Sequence, residues 1–304
     1  MAVGVARHNR HVLTFPSPDW PVVALRRWGA TSLRARVAGD DAEARAREIW
    51  ESAGERRFTP EDPIWRVHAD ASMFTGGIRA LLLQSLHPIA LYGVEEHSLY
   101  RDDPWRRVQN TSEFLAATTF GPVTYASQVI DRVNRIHRAV RGVTDDGTPY
   151  AADDPHLLRW VHVAEVESFL TTYQRYGATP LSQDEADTYV AQTGTIAELL
   201  GVEASPQSEA ELRAELEAYR PELTGSPVVR KVASFLLVDP PLPLLARPAY
   251  GAIAAGAVAT LPGWARKMIG IPTVPFADSL VGRPVGSAAT ATIRWLMSDP
   301  SIAH

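Results

Sequence analysis

The chain has 304 residues, 45% of them hydrophobic, and a formal net charge of -5. That is enough apolar material for a large core, and the negative balance gives no global field to gather a nucleic acid, so no such partner is expected. The absence of cysteine excludes disulfides, thiolate nucleophiles, iron-sulfur clusters and Cys-ligated haem, leaving His, carboxylate, Tyr or Met for any metal.

Residues 1–58 read as an extension ahead of one compact unit over 59–304. The first forty are irregular and basic, with Arg7, Arg10, Arg26, Arg27, Arg34 and Arg36. They hold no apolar run before a cleavage site, so a cytoplasmic address is the default expectation. Asp40 to Glu55 is helical by propensity. Thr59 and Pro60, followed by Glu61 and Asp62, have the form of a helix start, with a hydroxyl cap and acidic residues at the positive dipole end.

Helical segments then follow between turn signals: TGG before IRALLLQSLHPIALYGV, RDDP before WRRVQNTSEFLAATTF, GP before VTYASQVIDRVNRIHRAV, and DDP before HLLRWVHVAEVESFLTTYQRY. Val129, Val133, Ile136 and Val140 recur at helical spacing and mark one face. Ser182 with Glu185 and Ser208 with Glu211 are capping-box patterns. Proline-rich breaks at 238–248 and 271–275 flank PAYGAIAAGAVATLP, Pro248 to Pro262. That stretch is short of the about 20 apolar residues of a membrane span. It reads as a buried Ala/Gly-rich helix, or as a helix touching a membrane at the mouth of a lipid-substrate site, so any membrane contact is peripheral at most. No alternating run marks a sheet, and the fold class expected is all-α, a compact multi-helix bundle.

Nucleophile-elbow, phosphate-loop, zincin and Glu-x-x-His patterns are absent. His68 and Asp70 match the His-x-Asp part of a non-haem iron triad; the plainer reading is a polar contact or cap. The informative feature is a polar set within apolar helices: His87, Glu95, Glu96, His97, Arg107, Thr111, His137, Arg141, His156 and His162. Asn134, His137 and Arg141 sit at spacings of three and four and so share one helix stripe. A neutral His nitrogen can ligate haem iron, and an Arg one turn away can pair with a propionate. The spacing alone leaves open a surface His and Arg.

Several blocks occur in order: PIWRVHAD, GGIRALLLQSLHPIALYGVEEHSLYRDDP, RVQNT, RVNRIHRAVRG and YAADDPHLLRWVHVAEVES. Together they resemble the MpaB-like and latex-clearing (rubber) oxygenases over roughly residues 60 to 270. The resemblance implies an all-helical fold with a globin-like core, haem b, O2 as co-substrate, and oxidation of a hydrophobic, isoprenoid-like small molecule. It implies His137 as the axial iron ligand, with His162 as the alternative, and Arg141 beside the haem. Arg107 and Thr111 match the oxygen-side segment, where Asn110 replaces the basic residue usual before the threonine. A neutral amide donates a hydrogen bond there but supplies no positive charge. Asn110 therefore motivates a second reading, a helical haem- or lipid-binding protein without catalysis. His87 is expected to be structural, and Glu95 or Glu96 to be a candidate base.

Overall fold

The computed structural model describes residues 41–97, 103–274 and 276–298. The basic stretch expected over 1–40 lies outside them. Thirteen α-helices and one two-stranded sheet make up the described part, so the all-α expectation holds.

Helix α1 (Ala42–Ala46) runs into a π-helical turn, Arg47–Glu51, and stops short of the expected Glu55. Ser52 turns extended, and the Arg56 guanidinium donates to the Ile49 carbonyl (2.7 Å) and to that of Phe120, fastening the chain to the body. The helix start expected at Thr59 lies at Pro63. Both the amide and the hydroxyl of Thr59 donate to Asp62 Oδ2 (2.7 and 3.0 Å), which makes 59–62 a side-chain-closed turn before α2 (Pro63–His68).

The TGG signal is no break, because it lies inside α3 (Ser72–Gln84). Gly76 is where α3 meets α7 (Pro155–Tyr176): a Cβ there would stand 2.6 Å from Phe169 Cδ1 and 2.7 Å from Thr172 Oγ1. The break comes at 85–87, before α4 (Pro88–His97). Arg79 of α3, only 1% exposed, forks onto the Glu167 carboxylate and donates to Ser168 Oγ (2.8 Å), so the centre of the core holds a paired charge.

Helix α5 (Pro104–Phe120) starts where Asp103 accepts from the Arg106 amide (3.0 Å), and α6 (Val123–Ala139) follows Pro122. The apolar stripe of α6 is buried only in its first half: Val129 is in the core, whereas Ile136 is 54% exposed. The helix ends at Ala139. Arg141–Val143 (β1) pairs antiparallel with Pro149–Ala151 (β2), a hairpin the periodicity did not announce.

Helix α7 is the longest and is capped by Asp154, which accepts from the His156 amide. The capping box of α8 (Gln183–Leu199) is complete at Ser182 and Glu185. That of α9 (Glu209–Ala218) is half made, since Ser208 accepts from the Glu211 amide while the Glu211 carboxylate turns to the Gln207 amide. A 3-10 turn, Arg220–Glu222, leads to α10 (Pro227–Leu237), α11 (Arg247–Thr260), α12 (Gly263–Ile269) and α13 (Arg283–Met297).

The Ala/Gly-rich stretch forms α11, buried at Ala254, Gly256, Ala257 and Ala259 and pressed on α13 where Gly256 meets Gly286. No helix among the described residues is long and apolar enough to cross a membrane. Helices α3, α7, α11 and α13 form the tight centre, with α8 and α9 against α7. The α5–α6 hairpin packs on itself and, through α5, on α2 and the 47–51 turn, but makes only sparse contact with α7 and α8.

Candidate functional site

His162 and Glu165 stand three residues apart on α7 and share a face. Both sit deep in the molecule. Burial holds the His162 imidazole neutral, pushed down to about 4, and pushes the Glu165 carboxyl up to about 7. Tyr189 of α8, wholly buried, is raised by burial and then by the Glu165 charge. Its hydroxyl lies 3.4 Å from His68 Nε2, and His68 Nδ1 lies 2.7 Å from Thr119 Oγ1 of α5. Burial pushes His68 down to about 3, so it too is neutral. A polar thread from Tyr189 through His68 to Thr119 thus joins α8, α2 and α5.

His137 occupies the last turn of α6. Its Nδ1 is buried without a hydrogen-bond partner, as is Nε2 of His162. Burial lowers the His137 pKa, only partly countered by the charge of Asp153. Two neutral imidazoles with unpaired interior nitrogens are unusual, because a buried polar atom normally finds a partner. They have the donor chemistry that an iron porphyrin requires.

The other predicted residues are placed as follows. Arg141 is not on the helix stripe with Asn134 and His137, because α6 ends two residues earlier. Its exposed side chain donates to Asp153 (2.6 Å), and Asn134 donates to the Leu199 carbonyl (2.9 Å). Arg107, Asn110 and Thr111 lie on one face of the first half of α5. Asn110 and Thr111 are exposed, and the Thr111 hydroxyl donates to the Arg107 carbonyl (3.0 Å). Glu96 is exposed and Glu95 half-buried on α4.

His68 and Asp70 make the polar contacts of the plainer reading. Asp70 is engaged by the Arg294 guanidinium through two 2.9 Å bonds, and His68 by Thr119 and Tyr189. The sequence reading did not single out Glu165 or Tyr189. The available signal was a carboxylate one turn from His162 inside the apolar run LLRWVHVAEVESFL.

A family model described as the catalytic domain of ER-bound oxygenase mpaB/B' and rubber oxygenase matches residues 65–295. The chain belongs to this oxygenase family. No curated protein and no solved structure gives a significant match. The matched span runs from α2 to α13 and contains every residue of the interior site. The two unpaired histidines therefore lie within an oxygenase catalytic domain.

Proposed function

We propose that this member of the family is a haem b-dependent oxygenase that uses O2 to oxidise a hydrophobic small molecule of isoprenoid-like character. The observation that carries the reading is the pair of buried, neutral histidines, His137 and His162, each with an unpaired interior nitrogen. His137 would hold the haem iron in this reading, with His162 the alternative. Arg141, exposed in β1 just past the end of α6, would pair with a haem propionate. Arg107, Asn110 and Thr111 would serve the side where O2 binds. Bound haem supplies the redox centre at which O2 is activated.

The chain's own groups do the rest. The α5–α6 hairpin makes only sparse contact with α7, and the apolar ligand is assigned to the ground between them. Asn110 orients by hydrogen bonding without adding charge. Glu165, near its midpoint at neutral pH, can hold or release a proton at its carboxyl. Membrane contact, where a lipid-like substrate calls for it, is peripheral, and the strongly exposed Leu244 and Leu245 are among the apolar residues available for it.

The test is the ultraviolet-visible spectrum of protein produced with a haem supply, beside His137→Ala and His162→Ala. A Soret band abolished only by His137→Ala supports the assignment. A full haem complement in that variant moves the ligand to His162. No haem in any sample after reconstitution sinks the haem reading. Haem binding without O2 consumption across a panel of alkenes would favour the binding-protein reading that Asn110 motivates.

A further inference from the structure

A second group of metal-ligating side chains lies away from the interior histidines. His87 precedes α4, His156 is in the first turn of α7, and Glu222 closes the 3-10 turn after α9. One ligand atom from each lies within 4.8 Å of the other two. Glu222 Oε2 is 2.8 Å from His156 Nε2 and 3.5 Å from His87 Nε2. Ligands at zinc bond lengths of about 2.0 to 2.1 Å on a tetrahedron stand roughly 3.3 Å apart, and the two separations bracket that value. We propose that His87, His156 and Glu222 form a divalent transition-metal site suited to zinc, with its fourth position open to solvent.

An independent observation points to a ligand. His87 is 2% exposed, and its Nε2, aimed at Glu222, is buried with no hydrogen-bond partner. Burial keeps this imidazole neutral, the form that binds a metal, against the opposing pull of Glu222. The backbone prepares the corner, since the Thr224 amide donates to the Leu86 carbonyl (2.9 Å) and holds the Glu222 segment beside His87.

The surroundings of His156 follow metal-site logic as well. The Tyr219 hydroxyl donates to the His156 carbonyl (2.8 Å) and presents its oxygen 3.4 Å from His156 Nδ1. Without metal, His156 Nε2 hydrogen-bonds Glu222 Oε2 (2.8 Å); a bound cation would displace that proton and bridge the two groups, with the proton carried on Nδ1 toward the Tyr219 oxygen. Two further effects oppose the ion. The N-terminal dipole of α7 repels a cation, offset by the Asp154 carboxylate. Metal on His87 Nε2 moves its proton to Nδ1 and gives up a 3.4 Å contact from the Ala90 amide, a hydrogen bond at the limit of reach.

The open face leads to a surface pocket of about 320 Å³ bordered by His156, Asp154 and Arg159. Arg159 is turned to the carbonyls of Glu203 (2.9 Å) and Ala204 (2.8 Å), so its charge does not occupy the metal position. His162 lies six residues further along α7, about 9 Å up the axis and on another face, so this site is independent of the haem reading.

Full-length protein, with any cofactor it carries, is stripped of loose metal with a chelator and titrated with zinc chloride by calorimetry. Bound zinc is counted by elemental analysis. One zinc per chain is expected, with a Tm raised by zinc. The affinity should fall on the order of 100-fold or more in both His156→Ala and Glu222→Gln and stay unchanged in His137→Ala. The two altered side chains are 54% and 43% exposed, so both variants should fold, which circular dichroism melts check. Absence of stoichiometric zinc in the wild type, or wild-type affinity in either variant, overturns the site.

Discussion

His68 and Thr119 are joined by a 2.7 Å hydrogen bond between Nδ1 and Oγ1, and this bond fastens α2 to the end of α5. His68 is held neutral by burial, down to about 3. Removing the hydroxyl leaves an imidazole nitrogen without its closest partner in the interior. Thr119→Val should therefore cost about 1 to 3 kcal/mol in denaturant unfolding, although it conserves volume. A loss within 0.3 kcal/mol would show that the pair contributes nothing.

Glu165 sets a pH dependence. Its carboxyl rises from an ordinary 4.5 to about 7 on folding. Below pH 4.5 both states hold the proton; between 4.5 and 7 the folded state holds it and the unfolded state releases it. Stability thus falls as pH rises through that window, by up to roughly 3 kcal/mol, and stays lower above it. In haem-free protein Glu165→Gln should remove this slope and raise the midpoint of unfolding at pH 8. An unchanged pH profile would show that the carboxyl is solvated.

His162 acts in the opposite direction. Its pKa drops from 6.5 to about 4 on folding, so both states are neutral above pH 6.5 and only the unfolded state gains a proton as pH falls from 6.5 towards 4. Stability is lost across that window. His162→Asn should shift the acid-unfolding midpoint to lower pH. A midpoint that does not move would assign acid sensitivity to other groups.

Arg79 and Glu167 test the central contact. Arg79 is 1% exposed, and Glu167→Ala leaves its guanidinium buried with only the Ser168 hydroxyl and the Thr260 carbonyl. A loss of about 3 to 5 kcal/mol is expected, whereas Arg79→Met with Glu167→Leu should cost less than the single variant. Equal losses would mean that packing rather than charge is at stake.

The elements legible in advance were those with local causes. Pro104 after Asp103, Pro155 after Asp154, and Ser182 with Glu185 carry their helix starts in a few adjacent residues, and each start stands where expected. The family was legible too, because its blocks are contiguous in the chain. Gly76 misled: a Gly pair in sequence marks a turn, but here it admits Phe169 from α7, a partner 93 positions distant, and nothing local announces that.

By itself the sequence determined the all-helical class, the exclusion of cysteine chemistry and the oxygenase resemblance, since composition, periodicity and short motifs are properties of neighbouring residues. Only the tertiary structure decided which polar residues act together. It ended α6 before Arg141, took Asp70 to Arg294, buried Glu165 and His162 on one face of α7, and brought His87 to Glu222. Burial and non-local pairing fix protonation and ligand geometry, and both arise from residues distant in the chain that packing brings into contact.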